Sequence, residues 1–521
     1  MAVRKNALTL SAAEKSAFVQ AVKALKANGT YDQYVLWHVQ AMAQGTPPGT
    51  PPSIRNAAHR GPAFFPWHRE FLRRLELDLQ NVSGDPNMGL PYWDWATDAA
   101  LPNPATSAVW GNDLMGGDGN PVTTGPFASG MWTIINGLGN PAGALIRAFG
   151  LNTPTLPTQA DVTGALNEVP YDSSPWNTSS NPSFRNRSEG WMSGLQLHNR
   201  VHVWVGGSML AGTSPNDPIF FLHHCFVDKM WADWQAQNPG QGYVPAGGGP
   251  AGHNLNDALF PWTATPADVV NHHALGYQYD DEPIVAAGGV VNAASFLAGA
   301  VSPGVILSIF GSNLGPAAPQ TLTIGPGGLV TTQLAQTRVL FGGQPAPLLL
   351  VSEGQINVVA PYGLAGASGT QVEVEVDSVL SAAVSLPVSP AGPGVFALTQ
   401  TGSGQGAVLN QDNSVNDASN PAPTGSVVQI FATGGGVTSP SAVDGGIAPT
   451  PPPLHQLTET VQADIGGLNA SVLFAGAAPG LVFGVVQVNA EVPATVAAGN
   501  AVPLELTIGG VTSQTVTIAV S

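Results

Sequence analysis

Histidines are the best candidates for a functional site in this sequence, by their number and their spacing. Eleven histidines occur among 521 residues, and six of them form two groups of three in the first half of the chain: His38, His59, His68, His198, His202 and His224. His198 and His202 are four residues apart, so on a helix both imidazoles project from one face toward a single ion. Cys225 is the only cysteine, which excludes thiolate-rich metal sites. These spacings predict a metal site held by histidine or carboxylate.

Each histidine also has an interpretation that needs no metal. A single histidine on an apolar helix is most often a hydrogen-bonded core residue, and pairs four residues apart also arise by chance. His223 lies about 100° around a helix from His224, so we assign it to packing or to a supporting position around the metal ligands, and not to the metal itself. Asp228 follows His224 by one turn and is expected to accept a hydrogen bond from its imidazole N–H. Four further histidines stand in loops and are expected to be solvated and without partners: His253, His272, His273 and His455.

The first half of the chain has the spacing of helices. Residues 67–80 place four apolar side chains on one face, and residues 218–235 begin with a proline at the first helical position. Ser11 and Glu14 have the spacing of a capping box at the start of an N-terminal helix. Gly- and Pro-rich loops separate these segments, so the first half is predicted to be mostly α-helical.

Two longer segments carry a family resemblance. Residues 59–76 read HRGPAFFPWHREFLRRLE, and residues 217–231 read DPIFFLHHCFVDKMW. With YWDW at 92–95 and the closing YQY at 277–279, they resemble the signature motifs of the tyrosinase family, the dinuclear type 3 copper proteins. The resemblance extends from the N-terminus to about Asp281 and looks closest to the compact bacterial members.

The resemblance implies two copper ions, the first held by His38, His59 and His68 and the second by His198, His202 and His224. It further implies dioxygen as co-substrate, ortho-hydroxylation of monophenols and oxidation of o-diphenols to o-quinones. Neutral imidazole suits copper, although three histidines also suit a single catalytic zinc. A catechol oxidase or o-aminophenol oxidase without monophenolase activity, and an oxygen carrier like hemocyanin, are the alternatives.

Hydroxylation of a monophenol requires a base that accepts the phenolic proton. In the family, an Asn directly after the first histidine of the second copper and a nearby Glu hold a water for this purpose. Asn199 follows His198, and Glu189 lies in RSEGW, so the resemblance implies true tyrosinase activity. The alternatives are an ion pair of Glu189 with Arg185 or Arg187, and a surface position on a helix for Asn199.

Charge and aromatic content divide the chain into two differently built parts. Before residue 283 there are 15 basic and 22 acidic residues and all 12 tryptophans, whereas Arg338 is the only basic residue beyond it. We predict a multidomain protein: a mostly α helical-bundle copper domain at 1–283, a linker at 284–300 and an all-β, Ig-like sandwich region at 301–521. Short β-rich runs with Gly/Pro turns favour the sandwich. A repeated pattern, LFGG…QIN…P and DIGG…QVN…P, predicts two related modules there.

Composition also bears on partners. A net charge of −17 argues against nucleic acid, and the apolar stretch at 283–311 is too interrupted by Gly and Pro to span a membrane. No signal peptide is visible at the N-terminus. The region after residue 300 resembles a domain of unknown role on secreted acidobacterial proteins. We hypothesise either a plain attachment or solubility module or an intramolecular cover of the copper site, with Tyr362, Phe474 or Phe483 as the inserted aromatic.

Overall fold

The structure is a computed structural model that describes residues 1–192 and 194–521. Two compact units make up the chain, Met1–Asp280 and Asp281–Ser521. The first is helical and the second is built of β-strands, which confirms the predicted fold class. None of the helices in the described residues is long and apolar enough to cross a membrane.

The first unit consists of helices joined by long loops. Their bounds are α1 Ala12–Ala27, α2 Thr30–Ala43, α3 Phe64–Ser83, α4 Trp95–Asp98, α5 Gln159–Leu166, α6 Phe184–Glu189, α7 Leu197–Val205, α8 Ile219–Gln237 and α9 Pro266–Val269. The predicted capping box opens α1: the Ser11 hydroxyl accepts from Glu14 N–H, and the Glu14 carboxylate accepts from Ser11 N–H. The segments predicted as helices at 67–80 and 218–235 correspond to α3 and α8.

A core rich in aromatic side chains holds α3 and α8 together. Phe71, Leu72, Leu75 and Leu79 of α3 are fully buried, as the helical spacing predicts. At the edge of this core, strand β1 (Ala2–Arg4) pairs in parallel with strand β2 (Tyr277–Tyr279), which joins the two ends of the unit. Burial of both helices on nearly all sides fixes the relative position of the histidines they carry.

The second unit begins with two antiparallel sheets around one apolar core. The first has the order β3 (Ile284–Asn292), β4 (Ile306–Ser312), β9 (Gln355–Val359), β8 (Leu348–Val351) and β5 (Gln320–Thr321). The second has the order β11 (Val379–Leu380), β10 (Gly369–Val376), β6 (Thr337–Phe341) and β7 (Gln344–Pro345), with β12 (Val384–Pro387) paired to β10. Alternate residues of β6 and β10 are buried, as expected for sheets that cover a core on one face.

The remaining strands form a third, larger sheet with its own apolar cluster. Its main path is β13 (Gly394–Val395), β15 (Val427–Thr433), β20 (Val485–Glu491), β19 (Leu468–Ala477), β18 (Val461–Ile465), β21 (Gly499–Ile508) and β22 (Val511–Thr512). The other strands paired to it are β14 (Val408–Leu409), β16 (Thr438–Ser439), β17 (Gln456–Leu457) and β23 (Val516–Val520). The repeated segments QIN and QVN lie on β9 and β20, one in each of the two clusters' sheets.

The prediction of a linker at 284–300 is wrong, because more than half of this segment is a β-strand. Its first nine residues form β3, which pairs with β4 through partners such as Val290 and Ile309. Its Gly and Ala content suggested a flexible connection, but the β-branched residues at both ends pack into the sheet, and Val290 is only 4% exposed. The second unit therefore starts at the end of the first, without a spacer of this length.

Candidate metal centre

Three elements of the first unit bring the first group of histidines together. His38 lies on α2, His59 in the loop before α3, and His68 in the first turns of α3. One nitrogen from each ring lies within 4.8 Å of the others. All three side chains are buried, with at most 9% of the residue exposed. Residues that are 30 positions apart in the sequence thus form one compact triad.

The second group converges from two helices. His198 and His202 lie on α7 and His224 on α8. The Nε2 atoms of His198 and His202 are each 3.3 Å from Nε2 of His224. The predicted geometry of two imidazoles on one helical face is therefore present, with the third ring supplied by a neighbouring helix.

The two triads face each other across the α3–α8 packing. The His68 and His224 rings stack with centroids 4.3 Å apart, and the His59 and His198 centroids are 6.0 Å apart. All six rings therefore border one small volume, as a centre with two metal ions requires.

Backbone carbonyls determine which nitrogen of several rings carries the proton. Nδ1 lies 2.7 Å from Gly212 O in His38, 2.7 Å from Phe64 O in His68, and 2.8 Å from Met209 O in His202. A carbonyl only accepts hydrogen bonds, so each Nδ1 is the N–H donor and each Nε2 carries a lone pair. Hydrogen bonding of this kind orients an imidazole for metal binding.

The unprotonated ring nitrogens show whether these residues fit a metal ion, because their lone pairs converge. Nε2 of His38 and Nε2 of His68 are buried and have no hydrogen-bond partner among the residues that the structure describes, an arrangement that is unfavourable for a polar atom without a cation. In the second triad, His224 could donate a proton from Nε2 to only one of its two neighbours. A cation among the rings satisfies all of these nitrogens, and an all-imidazole set suits copper.

Burial keeps the imidazoles neutral. It is the main cause that lowers the pKa of His38 and of His202, each to about 4. Burial and the neighbouring histidines hold the pKa of the other four well below the ordinary value. Neutral imidazole is the form that binds a metal ion, so these rings need not lose a proton at neutral pH before they bind one.

The expected bond between Asp228 and His224 is not formed, and this prediction was wrong. Both Asp228 oxygens accept from other groups: the guanidinium groups of Arg4 and Arg69 and the hydroxyls of Tyr277 and Tyr279. The carboxylate turns toward these charges because two buried cations attract it more strongly than a neutral N–H. Asp228 therefore fixes α8 to α3 and to strands β1 and β2, while His224 Nδ1 has no partner among the described residues.

The solvated position predicted for His253 was wrong. His253 is fully buried rather than solvated: Nδ1 accepts from Ala63 N–H at 3.0 Å, and Nε2 lies 2.6 Å from the Thr46 hydroxyl. It thereby fixes the loop that carries His59. His223 is fully buried and its ring stacks on that of His198 with centroids 5.2 Å apart, in agreement with the packing assignment, although one of its nitrogens lies within 4.8 Å of those of the second triad.

The other loop histidines are less exposed than expected. His272 and His273 are half-buried and their ring centroids are 4.1 Å apart. In the second unit, His455 is half-buried, with Nδ1 2.7 Å from Pro440 O. Contacts with His273 and Pro440 O therefore partly cover these rings.

Glu189 and Asn199 lie beside the second triad. Glu189 is fully buried; its carboxylate accepts from the backbone N–H of Arg60 at 2.7 Å and pairs with Arg185 at 3.0 Å. The ion pair weighed as an alternative for Glu189 is thus present. Burial raises the pKa of Glu189, although Arg185 opposes this effect. The backbone oxygen of Glu189 and Oδ1 of Asn199 are 3.3 Å and 3.1 Å from Nδ1 of His198.

Gly190 allows this close approach of α6 and α7. Its φ is +103°, and a Cβ atom there would lie 2.1 Å from the Gln196 oxygen and 3.0 Å from Cβ of Asn199. Any side chain would push the two helices apart. Nδ2 of Asn199 is buried and has no hydrogen-bond partner in the described part of the chain, so this amide can still donate one bond.

A cavity of about 260 Å³ opens over both triads. Its lining consists of His38, Met42, His59, Arg60, Trp191, Leu195, His198, Asn199, His202, Val203, Met209, Leu210, Ala211 and Ser214. The volume is just below the range of about 300–1,000 Å³ usual for ligand pockets, which suits a single small ring. The segment 209–214, which follows α7, therefore contributes to the mouth of the cavity.

Two facing triads of buried imidazoles beneath a small cavity have the ligand set of a dinuclear, all-histidine metal centre. The model of the common central domain of tyrosinase matches residues 28–237, and that of the IPT/TIG domain matches residues 290–389. A tyrosinase from Streptomyces glaucescens is 45% identical over 289 residues, which cover 54% of this chain and 100% of the relative. Grixazone synthase from Streptomyces griseus is 40% identical over 53% of this chain and 99% of the relative. A solved polyphenol oxidase from Thermothelomyces thermophila is 23% identical, with a TM-score of 0.42, over 54% of this chain and 88% of that one.

The chain belongs to the tyrosinase family and is a tyrosinase-type copper oxidase. The resemblance inferred from the sequence motifs is thereby confirmed. The similarity to the Streptomyces tyrosinases covers the helical unit, and the IPT/TIG match lies within the β unit.

Proposed function

We propose that the enzyme binds one copper ion in each triad and uses dioxygen to hydroxylate monophenols at the ortho position and to oxidise o-diphenols to o-quinones. The observation that carries this proposal is the convergence of the six imidazoles beneath one cavity, with carbonyls fixing the tautomer of His38, His68 and His202. The names of the relatives, several of them tyrosinases, support it. Oxygen uptake with tyrosine, catechol and 2-aminophenol after copper loading tests it; no uptake with any of the three would contradict it.

The chain's own groups orient the substrate and move its proton. When bound, the copper pair supplies electron exchange with dioxygen. Nδ2 of Asn199, which has no protein partner in the described chain, donates to a water whose other partner is the Glu189 carboxylate. That water accepts the phenolic proton while the apolar residues Met42, Val203 and Met209 exclude bulk water from the ring.

Replacement of Asn199 by glycine or aspartate is expected to lower tyrosine hydroxylation by roughly 10²-fold, the lower range for general-base catalysis. Catechol oxidation should change by less than about three-fold, because a catechol binds and ionises more readily at such a centre. Steady-state oxygen uptake with both substrates measures the ratio. Asn140→Gly, at an exposed position of the same unit, is the control. Equal losses for both substrates would remove the proton-transfer role.

One observation favours the diphenolase-only alternative. The Glu189 carboxylate is already engaged by Arg185 and by the backbone N–H of Arg60, which weakens it as a proton acceptor. If the wild type oxidises catechol or 2-aminophenol but not tyrosine, this alternative holds and Asn199 has no base to assist.

We further propose that the β unit restricts access to the copper centre. The three candidate aromatic side chains differ in how freely they could move into the copper site. Phe483 is only 3% exposed and belongs to a small apolar cluster against which Tyr362 packs. Insertion of either would disrupt that cluster. Phe474 on β19 is half-buried and is the remaining candidate.

Truncation after Asp280 is expected to raise the rate of catechol oxidation by at least about five-fold if access is gated. The relative from Streptomyces glaucescens matches the helical part over 100% of its own length, which supports independent folding of that part. The Phe474→Ala variant of the full chain should give part of the same increase. An unchanged rate in the truncated enzyme would leave the β unit as an attachment module.

A further inference from the structure

We propose that Arg60 selects phenolic substrates that carry an anionic substituent, an inference that rests on the proposed function. Among the residues that line the cavity over the triads, Arg60 is the one with a formal charge, since the histidines there are neutral. It follows His59 directly in the chain, so its side chain starts beside the first triad. A single cation in an otherwise neutral cavity favours a ligand with a negative group.

The guanidinium of Arg60 is held without being neutralised. Its Cζ lies 4.3 Å from the centroid of the Trp191 ring, and Nη1 donates to Ser53 O at 2.8 Å. Within residues 1–192 and 194–521, no carboxylate lies within ion-pair distance of Arg60. By contrast, the fully buried arginines of the same unit each pair with a carboxylate: Arg4, Arg69, Arg147 and Arg185.

The nearest acidic group, Glu189, forms no ion pair with the Arg60 guanidinium among the described residues. The Glu189 carboxylate accepts from the backbone N–H of Arg60 and pairs at 3.0 Å with the Arg185 guanidinium, which it shares with Asp172. The protein as a whole carries a net charge of −17. A cation without an ion-pair partner at the mouth of the cavity is therefore a local site of positive potential for an anionic substrate.

The backbone at Arg60 fixes where the side chain begins. Its φ is +64°, in the left-handed region that favours glycine over residues with a side chain. The bond from its N–H to Glu189 holds this conformation.

The remaining guanidinium N–H groups can bind a carboxylate at the far end of a phenol whose hydroxyl group lies over the triads. This contact is remote from the reacting atoms and is the same in the ground state and the transition state. It therefore lowers KM without changing kcat. A planar, delocalised guanidinium suits a carboxylate better than the ammonium of a lysine.

The test compares three catechols on the copper-loaded full chain: dihydrocaffeate, which is anionic, methylcatechol, which is neutral, and dopamine, which is cationic. Arg60→Gln is expected to raise KM for dihydrocaffeate by about five-fold, with methylcatechol within about two-fold and kcat unchanged, as expected for loss of a partly exposed charge contact. Arg60→Lys should restore part of the preference. Added salt should raise KM for dihydrocaffeate in the wild type but not in Arg60→Gln.

Arg200→Gln is the matched control, because Arg200 lies on α7 and bonds to Thr155 outside the cavity lining. Equal changes of KM for all three catechols, or none, would overturn the proposal. Calorimetric titration of the metal-free protein with phenylpropanoate separates it from the proposed function. Weaker binding in Arg60→Gln than in the wild type supports anion selection even without turnover, and equal binding opposes it.

Discussion

His202→Gln is expected to lower the copper content from the proposed two ions per chain to about one and to reduce oxidation of every phenol by at least about 10³-fold. His202 supplies an Nε2 lone pair that lies 3.3 Å from Nε2 of His224, and its Nδ1 is held by Met209 O. Glutamine keeps a polar side chain of similar length but cannot present an imidazole nitrogen there. Without that nitrogen the second triad has only two ligands, fewer than the three that catalytic sites commonly retain.

Copper analysis after dialysis measures the first effect and oxygen uptake the second. His68→Gln should give the same pattern through the first triad, whose rings otherwise remain in place. His455→Gln, in the β unit, is the control and should retain both ions and full activity. Retention of two ions by both triad variants would contradict the assignment of the copper ligands.

Asp228→Asn is expected to lower the free energy of unfolding of the helical unit by about 3–5 kcal/mol, the range for removal of one partner from a buried ion pair. The carboxylate bonds to Arg4 Nη1 at 3.0 Å and to Arg69 Nε at 2.6 Å, and all three side chains are at most 1% exposed. An amide leaves the positive charge of two buried guanidinium groups only partly compensated, since Glu76 pairs with Arg4 alone. Denaturant unfolding followed by tryptophan fluorescence reports this unit, which contains all the tryptophans.

The loss of stability caused by Asp228→Asn is expected to depend on pH. Burial by itself would raise the pKa of Asp228, but Arg69, Arg4 and the two tyrosine hydroxyls outweigh it, so the pKa lies below its ordinary value. A carboxyl with a lowered pKa in the folded state stabilises the fold above its unfolded pKa of about 4 and loses that contribution as the pH falls. The difference between wild type and Asp228→Asn should therefore be full at neutral pH and shrink below about pH 4.

Asp233→Asn on the same helix is the matched control. Asp233 pairs with Lys229 at 2.9 Å in a partly exposed position, so its loss is expected to change stability by less than about 1 kcal/mol. If the two variants lose similar stability, the buried network around Asp228 is not what joins α8 to α3 and the terminal strands.

The sequence by itself determined the family, the helical and β character of the two units and the segments that carry the six histidines. These follow from short-range rules. His198 and His202 share a face because a helix repeats every 3.6 residues, and Ser11 caps α1 because its partner Glu14 is three residues away. Features whose partners are close in the chain are readable from residue type and spacing.

Tertiary structure decided the contacts whose partners are distant in the chain. Asp228 bonds to Arg4 and Tyr277 rather than to His224, and His253 supports the loop of His59 rather than meeting solvent. The carbonyl that sets the tautomer of His38, Gly212 O, comes from a segment 174 residues away. A buried polar group takes whichever partner the packing brings within reach, and that packing depends on the whole core rather than on a local pattern.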